Sequence, residues 1–206
     1  MDIQLKTGCF EDAALVRRVV FMDEQGYENE FDAIDEAPSC IHVTLYVDGE
    51  LAGCSRVFPE ELERAADSEA PVSPACDMDE DVAAGETYIM GRVAVLSSMR
   101  RRGLASKIVE ASNAAARDAG AKLIKLHAQE YVLPLYAKAG YTQIAPVDYE
   151  DEGQPHAWMA KRMGDRWGRS FSAGSRGHSL AIDARVFQHT VFRFRMYICA
   201  LIGYKI

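Results

Sequence analysis

The sequence predicts an α/β fold: a mixed central β-sheet flanked by helices over residues 1–163, followed by a C-terminal extension, 164–206. Three observations carry this. β-prone runs alternate with amphipathic helical runs through the middle of the chain, the order that builds strand–helix–strand units and a partly parallel sheet. A chain of 206 residues, 49% apolar and 26% charged, is long enough and apolar enough to bury the core of one such domain. The charge also divides at the proposed boundary. Residues 164–206 hold seven basic and two acidic side chains, net +5, whereas the first 163 hold 16 basic and 29 acidic, net −13.

In chain order, residues 3–6 form a first strand. From 10 to 25 the apolar positions Ala14, Leu15, Val19, Val20 and Met22 recur at helical spacing, and Gly26 is a stop. Residues 27–39 are polar, acidic and without period, and read as a long loop. The β-prone runs 41–47 and 51–57 flank Asp48-Gly49, a strong hairpin signal. Residues 59–85, rich in Glu, Asp, Ala and Pro, read as an acidic connection with one short helix. Strand character returns at 88–96. Residues 103–119 make an amphipathic helix, with Leu104, Ile108, Val109, Ser112, Ala115, Ala116 and Ala119 on one side and Gly120 at its end. A short strand follows at 123–126. The helix at 132–139 carries Pro134 in its first turn and stops at Gly140; 141–147 and 157–163 are the last two strands. There is no internal repeat.

Composition narrows the function. An acidic domain repels polyanions, so nucleic acid is not an expected partner, and a cationic or amine substrate is weakly favoured. The N-terminus lacks the basic-then-apolar pattern of a secretory signal, and no window offers the roughly 18 uncharged apolar residues of a membrane span. Cys9, Cys40, Cys54, Cys76 and Cys199 are scattered with no Cys-x-x-Cys pair. That spacing predicts no metal site and no disulfide framework, and reduced thiols in a cytoplasmic protein.

The segment that carries chemistry begins with Val93-Ala94-Val95, passes through Leu96-Ser97-Ser98-Met99, and enters the helix as Arg100-Arg101-Arg102-Gly103-Leu104-Ala105-Ser106. A strand-to-helix turn with small residues lets successive backbone N–H groups converge where the helix dipole also favours an anion. Such a turn is a phosphate or pyrophosphate cradle; it reads equally as an ordinary helix start with solvated arginines. It is neither the P-loop, lacking Gly-Lys-Ser/Thr, nor the dinucleotide fingerprint, lacking its further glycines. A second segment, Gln129-Glu130-Tyr131-Val132-Leu133-Pro134-Leu135-Tyr136-Ala137-Lys138-Ala139-Gly140-Tyr141, follows one strand later.

Together these segments resemble the GNAT acetyltransferase superfamily, in particular its ElaA/YjcF-like branch. There a Val-x-Val strand precedes Arg/Gln-x-x-Gly-x-Gly/Ala, and a Tyr-x-x-x-Gly-Tyr/Phe helix end comes later. The stretch from Arg18 to Gln25, Glu30-x-Asp32-x-x-Asp35 and Ile89-Met90-Gly91-Arg92-Val93 are also similar to that branch. The resemblance covers residues 3–163. It implies acetyl-CoA as co-substrate, with the backbone of Val93, Ala94 and Val95 pairing with the pantetheine amides like an added strand. It implies that amides of Arg101, Arg102, Gly103, Leu104, Ala105 and Ser106 hold the pyrophosphate, with Arg100 opening the motif. It places Gln129 where an Asn often meets the pantetheine arm. Tyr136 is then the acid that protonates the departing thiolate, against the plainer reading of a core aromatic. The acceptor is a primary amine of a small molecule or peptide, attacking the thioester directly, and a second copy of the chain is carried as an expected partner.

One departure stands out. Members with a glutamate base on the strand before the cradle have it where this chain has Ile89, which accepts no proton. Glu24, Glu30, His42 and His156 are alternatives, each set against a solvated or structurally hydrogen-bonded side chain. Two rivals follow. Phe21, Glu30, Asp32, Asp35 and Arg56 also resemble acyl-homoserine lactone synthases, although those lack the cradle and the Tyr136 segment. The missing glutamate equally suits a GNAT-like module that binds acyl-CoA without catalysis. The extension, with its basic–aromatic stretch 191–198, lies beyond what the family needs and reads as an extra strand or tail.

Overall fold

The computed structural model describes residues 1–66, 73–149 and 154–164. The extension beyond Gly164, including 191–198, lies outside the described residues. Seven strands form one sheet: β1 (Ile3–Thr7), β2 (Ile41–Val47), β3 (Glu50–Pro59), β4 (Thr87–Val95), β5 (Leu123–Gln129), β6 (Thr142–Gln143) and β7 (His156–Arg162), in the order β1-β2-β3-β4-β5-β7-β6. Every neighbouring pair is antiparallel except β4 and β5, which run parallel. The hairpin between β2 and β3 turns on Asp48 and Gly49, both at positive φ (52° and 87°), as its two-residue turn requires.

One face of the sheet carries α3 (Leu104–Asp118) and α4 (Leu133–Lys138). Between them and the strands lies the main core, with Leu45, Met90, Val93, Val95, Ile108, Ile124, Leu126 and Tyr136 among its members. A buried Ser55–Ser112 hydroxyl pair at 2.6 Å ties β3 to α3. The opposite face is covered by α1 (Phe10–Arg17) and by the loop 27–39. α1 packs Ala13 and Val16, and the stretch after it Val20 and Phe21, against Cys54 and Ala94.

The helix expected over 10–25 is two pieces, and its apolar face is rotated. α1 gives way to a π-helical stretch, Arg18–Glu24. The wider turn brings Val20 and Phe21 onto the sheet and leaves Leu15 and Val19, both expected in the core, at 57% and 39% exposure. The inward position between them belongs to Arg17, 1% exposed, because its charge is satisfied inside the fold. Two other boundaries differ. β5 runs on to Gln129, and the strand expected at 141–147 shrinks to β6, after which Ile144 and Asp148 pair with β7 only at single points. The connection 59–85 does contain one short helix, α2 (Glu61–Ala66).

Gly53 sits in a tightly packed part of β3. A Cβ there would lie 2.6 Å from the Ala94 carbonyl oxygen and 2.7 Å from Ile108 Cδ1, and the backbone oxygen has no room to yield. Gly53→Ala is therefore expected to destabilise the domain by about 1–3 kcal/mol, read as a lower midpoint in urea denaturation.

Candidate active site

The site begins where two strands part. β4 and β5 share only three register pairs, Thr87 with Leu123, Tyr88 with Ile124 and Ile89 with Lys125. Beyond them β4 continues to Val95 and β5 to Gln129 with no ladder between, so a cleft opens toward the C-terminal ends of both strands. A bulge accompanies the parting: β3 pairs Cys54 with Ala94 but Arg56 with Gly91, and Arg92 between them has φ 55°. A non-glycine residue at that φ is a local strain that the surroundings must hold. Val93, Ala94 and Val95 thus form a strand segment paired to β3 on one edge only, an acceptor for an extended amide-bearing partner.

The cleft leads to the turn. After a single 3₁₀ turn, Ser97–Met99, the chain passes through Arg101 (φ 61°) and Gly103 (φ 75°) before α3 begins at Leu104. Arg100 is extended and the two left-handed residues follow it at alternate positions, and the first-turn amides of Leu104, Ala105 and Ser106 have no intrahelical acceptor. Arg101, Arg102, Gly103 and Ser106 are exposed around this concavity, and Leu104 points into the core. Arg100 is not a loose cation. Its Nε donates to the Val95 carbonyl at 2.8 Å and its Nη2 to Glu24 Oε2 at 2.5 Å, bracing the turn against the end of β4 and the π-helical stretch.

At the end of β5, Gln129 is buried and opens the 3₁₀ turn that leads into α4. Tyr136 on α4 is 2% exposed and sits edge-on to Tyr141, with ring centroids 5.8 Å apart. The Tyr141 hydroxyl donates to Asn113 Oδ1 at 2.6 Å, and burial holds its pKa above the ordinary phenol value. Val93, Val95, Leu104 and Tyr136 belong to one packed cluster, so the residues singled out on strand, turn and helix do come together.

The other face of the sheet holds what sequence reasoning saw only in part. Glu30, Asp32 and Asp35 meet three buried arginines, Arg17, Arg56 and Arg92; the sequence pattern named Arg56, and Arg92 only within the stretch Ile89–Val93. Arg17 forks onto Asp35 (2.6 and 2.9 Å) and reaches Glu30 Oε1 at 2.7 Å. Arg56 joins Asp32 (2.8 and 2.7 Å) to Asp35 (2.6 Å). Arg92 Nε lies 2.8 Å from Glu30 Oε1 but is misaligned for a hydrogen bond, and Glu30 Oε2 and Arg92 Nη1 are buried with no partner. Burial alone would raise the Asp35 pKa; the guanidiniums of Arg56 and Arg17 outweigh it and hold the carboxyl well below the usual range. The sequence signal was the spacing Glu-x-Asp-x-x-Asp in a loop with no apolar period. Its partners are 13 to 62 residues away, a separation that no local pattern reveals.

Next to this network lies an apolar floor of Ile34, Phe58, Ile89 and Trp158. Ile89 is fully buried in it and offers no proton acceptor. Across the floor, on β5, stands His127, which sequence reasoning missed by ending that strand at Leu126. Carried to Gln129, the period-2 alternation puts Lys125, His127 and Gln129 on one face. His127 is directly opposite Trp158 in the β5–β7 register and stacks on it at 4.8 Å, with an interplanar angle of 18°. Its Nε2 lies 2.9 Å from Asp148 Oδ2. Lys125 pairs with Asp79 at 2.7 Å and donates to the Pro74 carbonyl, pinning the acidic connection across the same face.

The earlier base candidates fare as follows. Glu24 is paired with Arg100, and Glu30 is enclosed between Arg17 and Arg92. His42 Nε2 donates to the Asp35 carbonyl at 3.0 Å, and burial holds its pKa below the ordinary histidine value. His156 is fully buried beside His127, ring centroids 5.1 Å apart. Burial pushes the thiols of Cys40 and Cys54 up to about 12, so neither is a nucleophile at neutral pH. Asp35, Cys40 and His42 bring ligand-type atoms within 4.8 Å of one another. However, both Asp35 oxygens are taken by guanidiniums, whose charge disfavours a cation.

The family model described as Acetyltransferase (GNAT) family matches residues 7–141. The chain belongs to this family. It is a GNAT acyltransferase, and the parted strands, the turn and α3 all lie within the matched span. YjcF of Bacillus subtilis (strain 168), an uncharacterized N-acetyltransferase, is 30% identical over 153 residues, covering 73% of this chain and 91% of YjcF. Escherichia coli ElaA has the same fold, with a TM-score of 0.58 at 19% identity over 78% of this chain and 100% of ElaA. BjaI, a CoA-dependent acyl-homoserine lactone synthase solved with SAM and isopentyl-CoA, has a TM-score of 0.62 at 14% identity, covering 80% of this chain and 85% of BjaI. Among the described residues of this GNAT protein, no helix is long and apolar enough to cross a membrane.

Asp35 is the centre of the buried network and gives a test of it. Asp35→Asn leaves two buried guanidiniums short of a carboxylate and is expected to cost about 3–5 kcal/mol. Because the folded pKa is depressed, the stabilisation is present above about pH 4 and is lost as pH falls toward the folded value. The variant should therefore show a weaker fall of stability with acid than the parent, measured by urea denaturation across pH.

Proposed function

We propose that the enzyme transfers an acetyl group from acetyl-CoA to a primary amine of a small molecule or peptide, by direct attack of the amine on the thioester. The observation that carries this reading is the parting of β4 from β5 after Ile89, with a one-sided strand segment that runs straight into a turn of outward amides. In this reading the main chain of Val93–Val95 pairs with the pantetheine amides, and the amides from Arg101 to Ser106 receive the diphosphate. Gln129 meets the pantetheine arm from the β5 side. The CoA dependence of BjaI supports an acyl-CoA donor here.

The amine nitrogen attacks the carbonyl carbon; the C–N bond forms and the C–S bond breaks, its electron pair leaving on sulfur. Amides at the unpaired edge of β4 stabilise the oxyanion, and Tyr136 delivers its phenolic proton to the thiolate. No covalent enzyme intermediate is needed, in keeping with thiols held in the protonated form. The four described cysteines are free thiols, the state a reducing cytoplasm maintains. A second reading, an acyltransferase of the acyl-homoserine-lactone-synthase kind, draws on the likeness to BjaI and on the Glu30, Asp32, Asp35 and Arg56 cluster. Lactone formation from S-adenosylmethionine would select it.

The test joins binding to turnover. Calorimetry should detect CoA binding to the purified chain, and thiol release should report acetyl-CoA turnover with amines. Tyr136→Phe is expected to lower kcat by about 10²-fold or more while leaving the CoA Kd unchanged. A protein that binds no CoA contradicts the proposal, and unchanged kcat in Tyr136→Phe removes that residue from it.

A further inference from the structure

The acyl-transfer reading leaves one chemical role vacant. The acceptor amine is an ammonium at neutral pH and must lose a proton before it can attack, and Ile89 cannot take it. On the same face as Ile89, across the apolar floor, His127 and Asp148 form a histidine–carboxylate pair.

We propose that His127, oriented by Asp148, is the general base that accepts the proton of the acceptor amine; the assignment rests on the acyl-transfer reading above. Three features of the fold support it. His127 lies two residues beyond Lys125, the last residue of the parallel ladder, and two before Gln129, so it stands on the parted section of β5 that borders the cleft. Its ring is fixed, stacked on Trp158 directly across the β5–β7 ladder. Its carboxylate partner is also fixed. Asp148 is held by a two-way main-chain bridge, its N–H donating to the His156 carbonyl at 2.8 Å and receiving the His156 N–H on its own carbonyl at 2.9 Å.

The tautomer follows from the pairing. A neutral imidazole that donates Nε2–H to a carboxylate carries its lone pair on Nδ1, and the same carboxylate stabilises the imidazolium formed on protonation. The Asp148 side chain, 25% exposed, connects the buried ring to solvent, where the proton is finally released. Of the three protons on the ammonium, one passes to His127 Nδ1 and out to water, and one stays on the product amide. The third replaces the proton that Tyr136 gave to the thiolate. Among the described residues, the titratable groups beside His127 include Asp148 and His156, and Lys125, two residues earlier on the same face of β5, is paired with Asp79.

The experiment uses the full chain, acetyl-CoA and three primary amines (spermidine, glucosamine and an alanine-terminated peptide), with thiol release followed from pH 5 to 9. Wild-type kcat/KM should rise with pH along a single limb. His127→Gln should lower kcat about 10²-fold or more and abolish that limb, with CoA Kd unchanged by calorimetry; added imidazole should restore part of the rate to His127→Ala. Asp148→Asn should shift the limb to lower pH, because losing the carboxylate lowers the imidazole pKa. In the unmutated protein, the His127 ring titration followed by NMR should coincide with the kinetic limb, a readout independent of how the variants fold. Wild-type turnover with an intact limb in His127→Gln, or a ring titration that departs from the limb, overturns the assignment and leaves acyl transfer standing. No wild-type turnover with any of the three amines defeats both.

Discussion

The site depends on the strained residue at Arg92 and on the carboxylate that keeps it there. A residue with a side chain at φ 55° in the middle of a buried strand is unfavourable by about 1–3 kcal/mol unless its neighbours fix it. Glu30 does so from the loop over the sheet, with Arg17 sharing the same oxygen. The bulge re-aims the chain from Val93 onward, beyond the point after Ile89 where the ladder to β5 ends, while the pairing of β4 with β3 resumes at Ala94.

The price in desolvation falls on a network of three arginines and three carboxylates, balanced in formal charge but not fully matched in geometry. Glu30 Oε2, Arg56 Nε and Arg92 Nη1 are left without hydrogen-bond partners. Networks of this kind contribute little to net stability compared with apolar packing. What this one supplies is definition. The loop 27–39 has no apolar period of its own, yet Asp32 and Asp35 cap its short 3₁₀ turn and fasten it to β3 and α1. That places Ile34 on Phe58 and Ile89 and completes the apolar floor.

Much of this architecture was legible in the sequence. The Asp48-Gly49 hairpin, the helix after Gly103, and the strand-turn-helix order of the cradle follow from local rules of turn chemistry and periodicity, and they stand in the structure where those rules put them. The failures have a common cause. The inward face of α1 was misjudged because a buried arginine reads as a surface residue until its distant carboxylates are known. His127 was overlooked because β5 was cut at its last aliphatic residue, although the alternation continues through polar side chains to Gln129. The last helix-to-strand connection was read as a full strand on apolar content, but Pro146 and the single bridge at Asp148 leave only Thr142–Gln143 in the ladder. Long-range charge pairing and polar strand faces are what a one-dimensional pattern conveys least well.

The three-rung contact between β4 and β5 has a mechanical consequence. The sheet is in effect two plates, β1–β4 and β5–β7, hinged at Thr87–Ile89 against Leu123–Lys125. A molecule bonded along Val93–Val95 and seated against β5 would act as the missing rungs, so that occupancy and cohesion of the two plates become one linked equilibrium. In such an arrangement the bound molecule would also be a structural member.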